Sequence, residues 1–144
     1  MRKECRNVNM KKTLILIVVF SLVLITFTGC SEKSYLFKEP IDEIESIEIV
    51  SAENSLDYTV IKTLSESEKN DFLEKFQDMK FRNYLGDPSE IYGDTIKITY
   101  KSGVYEMICP FVTADVENGI RQLRGRSCDE EVFNNLLDDF LSDK

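Results

Sequence analysis

Apolar and polar residues alternate with the two-residue period of a β-strand in the middle of the chain. Residues 44–50 place Ile47 and Ile49 on one side and polar residues on the other, and residues 95–100 alternate in the same way. Residues 58–64 are rich in β-branched and aromatic side chains, a composition that is typical of strands. The pattern therefore predicts three strands in this part of the chain.

Two turn signals predict hairpins. Ser102-Gly103 follows the strand of residues 95–100, and a two-residue turn there predicts that residues 104–109 return antiparallel to it. That register places six side chains on one face of the hairpin, namely Ile96, Ile98, Tyr100, Tyr105, Met107 and Cys109. Asn118-Gly119 predicts a second hairpin over residues 112–123.

Two capping motifs predict where helices begin. Ser65 and Glu68 form a capping box, and the apolar stripe of residues 72–79 predicts a helix that ends near Phe81. Ser127 and Glu130 predict a second capped helix, whose apolar stripe comprises Val132, Phe133, Leu136, Leu137, Phe140 and Leu141. This order of elements indicates an α+β fold, a small antiparallel sheet of four to six strands with two helices packed on one face.

The N-terminal part of the chain has the organisation of a secretory signal peptide. Residues 1–12 carry five basic residues and one acid, and the run LILIVVFSLVLITF over residues 14–27 is uncharged. A membrane-spanning helix needs about 20 apolar residues, which is longer than this run. A cleaved signal peptide is therefore favoured over an uncleaved membrane anchor. Translation from Met10 would retain a complete signal, so both Met1 and Met10 are candidate starts.

The exit of the apolar run, Phe27-Thr28-Gly29-Cys30, resembles the lipobox of bacterial lipoproteins. In that family a bulky apolar residue, a small or hydroxyl-bearing residue and Gly or Ala precede an invariant Cys. The resemblance implies that Cys30 is lipidated and that a signal peptidase cleaves between Gly29 and Cys30. It also implies a protein that its lipid holds on the extracytoplasmic face of the cell membrane. The remaining chain resembles small lipoproteins of low-GC Gram-positive bacteria.

The chain then divides into a cleaved signal peptide (residues 1–29), a lipidated cysteine with a tether (residues 30–43) and one domain (residues 44–144). Cleavage leaves 13 basic and 25 acidic residues, a net charge of −12. This charge argues against a nucleic-acid partner and against docking flat on anionic lipid, and it suits a cationic protein or peptide. The alternative is that the charge serves solubility.

The chain lacks histidine, and this absence removes the commonest general base and the commonest zinc ligand. No sequence motif indicates a phosphate loop or a calcium loop. The acidic runs at residues 129–131 and 138–139 lie where a helix start and a solvated helix face are predicted. The sequence therefore predicts no catalytic residue, no metal and no cofactor. An enzyme that uses paired carboxylates is the alternative.

Three arginines and two cysteines are the remaining candidates for a site. Arg121, Arg124 and Arg126 form the basic cluster of the mature chain and are a candidate anion-binding site, with pairing to acids as the alternative. Cys109 and Cys128 are a candidate disulfide, because disulfides persist outside the cytoplasm. The alternative is two free thiols. Cys128 is then expected to be the more reactive, since a helix N-terminus lowers a thiol pKa.

These features favour a lipid-anchored, non-catalytic binding or interaction domain on the extracytoplasmic face of the cell membrane. The alternative is an inhibitor or immunity lipoprotein that blocks a cationic hydrolase or peptide at the envelope. Tight, salt-sensitive binding to one basic protein would separate the second hypothesis from the first.

Overall fold

The computed structural model describes residues 32–84, 86, 88 and 90–142. Residues from Glu32 onward form one compact unit. The predicted signal peptide, the cleavage site after Gly29 and the lipidation site at Cys30 lie outside the described residues. The predicted α+β fold is confirmed, since a six-stranded antiparallel sheet packs against two helices.

The described part of the chain forms strands, two α-helices and a short 3-10 helix. In chain order these are the 3-10 helix Ile41–Glu43, β1 (Ile44–Asn54), β2 (Asp57–Thr63), α1 (Glu66–Asp78), β3 (Arg82–Asn83), β4 (Gly93–Tyr100), β5 (Tyr105–Ile108), β6 (Thr113–Glu117), β7 (Ile120–Arg124), β8 (Arg126–Ser127) and α2 (Glu130–Leu141). The large sheet has the strand order β2-β1-β4-β5-β6-β7, and its neighbouring strands are antiparallel. The short strands β3 and β8 form a separate two-stranded ribbon.

Both helices pack apolar side chains against the same face of the large sheet, but Val132, which the predicted stripe of α2 included, is 50% exposed. Phe72 and Phe76 of α1 and Phe133 and Leu137 of α2 belong to one core with the sheet. The fully buried isoleucines of that core are Ile47, Ile49, Ile96, Ile98 and Ile108. Because successive side chains of a strand point to opposite faces, the other face carries a second, smaller apolar cluster that includes Met107.

The first helix begins at its predicted cap and the second does not. The Ser65 hydroxyl accepts a hydrogen bond from the Glu68 backbone N–H, and the Glu68 carboxylate accepts one from the Ser65 backbone, which confirms the capping box. The prediction that Ser127 caps α2 is wrong. Asp129 is the cap and accepts hydrogen bonds from two backbone N–H groups in the first turn. Ser127 is instead paired with Arg82 in the β3–β8 ribbon, so the helix begins later.

The hairpin of β4 and β5 differs from the predicted register by one residue. Its loop contains three residues, 101–103, and Gly103 adopts a left-handed conformation with a φ of 86°. This loop places Glu106 opposite Ile98, on the face that packs against the helices. A shift of one residue moves every side chain of a strand to the other face. The prediction that residues 105, 107 and 109 share a face with residues 96, 98 and 100 is therefore wrong. The residues that lie on the opposite face from Ile98 are Tyr105, Met107 and Cys109.

The second predicted hairpin is confirmed. Asn118 and Gly119 join β6 to β7, and their φ angles are 52° and 75°. Positive φ at both central residues gives a two-residue turn whose twist matches that of the flanking strands, and Asn-Gly adopts it at low cost. The turn therefore sets the pairing of Glu117 with Ile120.

Residues 33–40, here called the N-terminal strap, lie against the folded domain instead of forming the predicted tether. Lys33 and Phe81 exchange two backbone hydrogen bonds of 2.8 Å, and α1 ends before its predicted limit because Phe81 is engaged in this extended pairing. Tyr35 is only 7% exposed and belongs to the main core. The described part of the predicted tether, residues 32–43, is therefore part of the domain.

Candidate functional site

A pair of buried carboxylates beneath the N-terminal strap is the main chemical feature of the described residues. Glu106 and Asp115 lie directly opposite each other on β5 and β6. Glu106 is fully buried and Asp115 is 4% exposed. Opposed side chains on antiparallel strands point to the same face, with Cβ atoms about 5 Å apart. The two carboxylates therefore share one site on the helix-facing side of the sheet.

Glu106 accepts hydrogen bonds from three donors. The Tyr35 hydroxyl donates to its Oε1 at 3.1 Å, and the Lys38 backbone N–H donates to its Oε2 at 3.1 Å. The Tyr100 hydroxyl also donates to Oε2. Tyr35 and Lys38 both belong to the strap, so Glu106 fastens the strap to the sheet.

Asp115 forms ion pairs with the strap and with β7. Its Oδ2 lies 3.5 Å from Lys38 Nζ and also contacts Arg124 Nη2. Its Oδ1 is buried and has no hydrogen-bond partner among the described residues. Lys38 therefore contacts both acids, Glu106 through its backbone and Asp115 through its side chain.

Burial shifts the pKa values of the acid and of the two phenols that contact it. The pKa of Glu106 is raised by burial, although the hydrogen bonds from Tyr100, Lys38 and Tyr35 lower it, and the charge of Asp115 adds a smaller increase. Burial followed by the contact with Glu106 also raises the pKa values of Tyr35 and Tyr100. Both phenols therefore keep their protons and act as donors to Glu106.

The surroundings of Glu106 suit a structural role, in which it holds the N-terminal strap on the sheet, better than a role as a catalytic acid. A general acid or base must come within hydrogen-bond distance of a substrate atom. Glu106 is fully buried and its oxygens are engaged by Tyr35, Tyr100 and Lys38, so a substrate does not reach it in this conformation. Exposure of the carboxylate requires release of the strap.

The structure does not bring the three predicted arginines together. Arg121 contacts Glu90, and Arg124 contacts Asp115. Arg126 lies over an aromatic ring of the strap, 5.5 Å from the ring centroid, and forms no ion pair with a described acid. The alternative interpretation, pairing with acids, therefore holds for Arg121 and Arg124. The described residues contain no anion-binding site that all three arginines share.

Cys109 and Cys128 are both buried free thiols, so the candidate disulfide is not formed in the structure. The Cys128 backbone N–H donates to the Pro110 carbonyl oxygen at 2.8 Å, which brings the start of the last helix to the end of β5. Burial, with a smaller contribution from Cys109, raises the pKa of Cys128 to about 12. The expectation of a lowered pKa at Cys128 is wrong, because burial outweighs the helix N-terminus.

The two acidic runs lie at the start of α2 and on its solvent-exposed side. Asp129 caps the helix, and residues 130–131 occupy its exposed first turn. Asp138 and Asp139 are exposed, and Asp139 forms an ion pair with Lys75 of α1 at 3.0 Å. Within the described residues, no group of three or more cysteine, aspartate and glutamate side chains is placed to hold a metal ion.

The sequence pattern does not reveal Glu106, Asp115 or Tyr35 as members of one site. With a two-residue turn, Glu106 falls on the solvent side of the hairpin, where an acid needs no explanation. Gly103 is the signal that could have found it, because a three-residue loop that ends in a left-handed glycine is also a common hairpin connection. That loop puts Glu106 on the core face and so marks a buried acid.

The chain matches no protein-family model, no curated protein and no solved structure. Over the part of the chain that the structure describes, no helix combines the length and the apolar composition needed to cross a membrane. The function is therefore inferred from the chain's own residues.

Proposed function

We propose that the protein is a lipoprotein anchored to the extracytoplasmic face of the cell membrane through Cys30, and that its folded domain is a non-catalytic binding or interaction module. The observation that carries the proposal is the sequence LITFTGC, which ends two residues before the folded unit begins at Glu32. A lipidated cysteine stands at the start of a mature lipoprotein, and this cysteine immediately precedes a domain with its own core.

The docked strap leaves only a short connection between the proposed lipid anchor and the folded domain. Lys33 is paired with Phe81, and Tyr35 is buried in the core, so the fixed part of the domain begins three residues after Cys30. At about 3.4 Å per residue, the connection from Cys30 to Lys33 can reach at most about 10 Å. The domain is therefore expected to meet partners on or close to the bilayer.

The roles of the buried acids support a non-catalytic domain. Glu106 is engaged by Tyr35 and Tyr100, and Asp115 is engaged by Lys38 and Arg124. Glu106 and Asp115, the pair of carboxylates that an enzyme of this kind would need, are thus engaged by residues of the protein itself. The chain also lacks the histidine that most nucleophile pairs and zinc sites use.

Metabolic labelling with an alkyne fatty acid in a bacterial host tests the anchor. The wild-type protein is expected to carry the label, and the Cys30→Ala protein is expected to lose it. Cys5→Ala is the matched control, since it removes a cysteine on the other side of the proposed cleavage site and should keep the label. Equal label in the Cys30→Ala and wild-type proteins would contradict the proposal.

The acidic surface favours a second candidate function, an inhibitor or immunity lipoprotein that blocks a cationic hydrolase or peptide. α2 exposes acids in its first turn, at residues 130–131, and near its end, at residues 138–139. Such a surface speeds the encounter with a basic partner and makes the complex salt-sensitive. Titration with a cationic lysozyme is the first test: an equimolar complex that weakens with salt supports this function, and absence of binding at low salt opposes it for this class of hydrolase.

A further inference from the structure

A cleft of about 360 Å³ lies where the end of α1, the β3–β8 ribbon and the start of α2 meet. Its apolar lining comprises Met79 and Cys128, which are 5% and 6% exposed, and Val132, which is 50% exposed. The charged residues that line it are Glu32, Asp78, Asp129, Lys80 and Arg82. This volume is at the small end of the range for ligand sites, so the cleft suits a small molecule.

Strand pairing places acidic and basic side chains on one face beside the cleft. The antiparallel bridge at Lys33 puts Glu32 opposite Arg82. On its other side, Arg82 is paired with Ser127, which also lines the cleft. Because successive side chains alternate between faces, Lys80 lies on the same face as Arg82. The extended segments therefore direct both bases and one acid towards the cleft.

The charges of the cleft do not neutralise one another. The cleft residues that form no ion pair with a described residue are Glu32, Asp78, Lys80 and Arg82. By contrast, the bases that do pair with described acids are Lys38, Lys62, Lys69, Lys75, Lys97, Lys101, Arg121 and Arg124. A ligand of the cleft therefore breaks no ion pair between described residues.

We propose that this cleft binds a small zwitterion, namely an amino acid or a short peptide with an apolar side chain. Lys80 and Arg82 hold its carboxylate, and Glu32 and Asp78 hold its ammonium group. Its side chain packs against the apolar lining at Met79. This inference rests on the proposed role of the domain as a binding module and names the class of ligand that the module takes.

The mixture of charges selects a zwitterion over a ligand of a single charge. An anion beside Lys80 and Arg82 is repelled by the three acids of the cleft, and a cation beside those acids is repelled by the two bases. A zwitterion presents both signs at once, so each of its charged groups meets a group of opposite sign. The apolar lining adds preference for an apolar side chain, because burial of apolar surface is favourable.

Isothermal titration calorimetry of the full-length protein in a nonionic detergent tests the proposal. L-leucine and the dipeptide L-alanyl-L-leucine are the two ligands, and saturable binding of at least one of them is expected. The tighter of the two shows whether the cleft takes a free amino acid or a peptide. N-acetyl-L-leucine lacks the ammonium group and L-leucinamide lacks the carboxylate. Each should bind at least about tenfold more weakly than L-leucine, because a hydrogen bond between charged groups contributes at least that factor.

Removal of the two bases tests the carboxylate contact. K80Q/R82Q is expected to bind the zwitterion at least about tenfold more weakly. K75Q/K101Q removes the same charge from exposed lysines outside the cleft and should leave the affinity unchanged. In K80Q/R82Q, L-leucine should also lose its advantage over L-leucinamide, because the partner of the ligand carboxylate is already absent.

Removal of two acids tests the ammonium contact. E32Q/D78N is expected to weaken binding by a similar factor, and E53Q/D57N, at exposed residues outside the cleft, is the charge-matched control. In E32Q/D78N, L-leucine should lose most of its advantage over N-acetyl-L-leucine. The substituted cleft residues are exposed, so the variants are expected to fold, and urea denaturation checks this.

Absence of saturable binding of both L-leucine and L-alanyl-L-leucine to the wild type would overturn the proposal. Equal binding of L-leucine and either blocked analogue would also overturn it, since the cleft would then recognise a single charge. Fatty-acid labelling of the same protein reports on the anchor separately. Labelled protein that binds neither ligand overturns the cleft site and keeps the anchor, whereas unlabelled protein that binds L-leucine overturns the anchor and keeps the cleft site.

Discussion

Glu106 and Lys97, two charged residues on opposite faces of the sheet, are compensated in different ways. On the helix-facing side, Glu106 is fully buried, accepts hydrogen bonds from two tyrosine hydroxyls and a backbone N–H, and forms no ion pair with a described residue. On the other side, Lys97 donates to Glu48 at 2.7 Å and lies over the rings of Tyr58 and Tyr105. Lys97 thus has a counter-ion, and Glu106 has only neutral donors.

Both residues have a raised pKa, with opposite consequences for charge. Burial lowers the pKa of Lys97, but the hydrogen bond to Glu48 and the neighbouring Tyr58 outweigh it, so the ammonium form is favoured. Burial raises the pKa of Glu106, and the hydrogen bonds offset it only in part, so the carboxylate form is disfavoured. Neutral donors therefore hold a buried acid in place without fully compensating its charge.

Substitution of Ile98 by Asp is expected to have the largest effect on stability, because Ile98 is fully buried and lies opposite Glu106. The new carboxylate has no cation beside it and faces an acid that already lacks a counter-ion. We expect the free energy of unfolding to fall by at least about 4 kcal/mol. Urea denaturation followed by circular dichroism measures the change.

Lys97→Asp is the matched control on the other face of the same strand. It places a carboxylate next to Glu48, but the side chain at position 97 is 12% exposed and reaches solvent more easily than one at position 98. We expect a smaller loss of about 2 kcal/mol. Equal losses for the two variants would show that these neighbouring residues do not face opposite sides of the sheet.

Glu106→Ala is expected to release the N-terminal strap. The hydroxyls of Tyr35 and Tyr100 and the backbone N–H of Lys38 would lose their acceptor at a buried site. The expected cost is about 3 kcal/mol, with faster hydrogen exchange over residues 33–38. Glu106→Gln keeps an acceptor and the side-chain volume and should cost less. Unchanged exchange in the strap of the alanine variant would rule out a fastening role for Glu106.

Lys97→Met tests the paired charge on the opposite face. Methionine retains an apolar stem of similar length but removes the ion pair with Glu48 and the contacts with two tyrosine rings. We expect a loss of about 1 kcal/mol. A double-mutant cycle with Glu48→Gln isolates the pair, and additive effects of the two substitutions would show that the pair contributes nothing.

Local chemistry makes some elements predictable, whereas strand register also depends on packing. The capping box at Ser65 and the Asn118-Gly119 turn are short motifs that suffice to place a helix start and a hairpin. The β4–β5 hairpin admits a two-residue or a three-residue loop around Gly103, and the two loops put Glu106 on opposite faces. The pattern of apolar residues favours the register in which Glu106 faces solvent. The tyrosines that donate hydrogen bonds to the buried Glu106 come from other segments, so the sequence of the strand alone does not show them.

The candidate site depends on contacts between distant parts of the chain. Tyr35 and Glu106 are 71 residues apart, and no local pattern marks the strap as part of the fold. A polar stretch after a predicted signal peptide is typical of a tether, whereas the burial of Tyr35 and the pairing of Lys33 with Phe81 make this stretch part of the fold.

The pH dependence of stability gives the smallest expected difference between variants, because the hydrogen bonds to Glu106 oppose the effect of burial. The pKa of Glu106 is raised above its ordinary value of 4.5 in the folded protein, so the folded state binds more protons than the unfolded state above that pH. Its contribution to stability is therefore full below the unfolded pKa and is lost as the pH rises through the folded pKa. The stability of the wild type relative to Glu106→Gln should accordingly fall as the pH rises.

Glu68→Gln provides a control with the opposite sign. The hydrogen bond from Lys62, followed by those from Ser65, lowers the pKa of Glu68 to about 2. Its contribution is therefore present above its ordinary pKa of 4.5 and is lost as the pH falls towards 2. Urea denaturation of the three proteins from about pH 3 to about pH 8 should give differences from the wild type that slope in opposite directions. A flat difference for Glu106→Gln would mean that its neutral donors compensate the buried charge fully, as the ion pair does for Lys97.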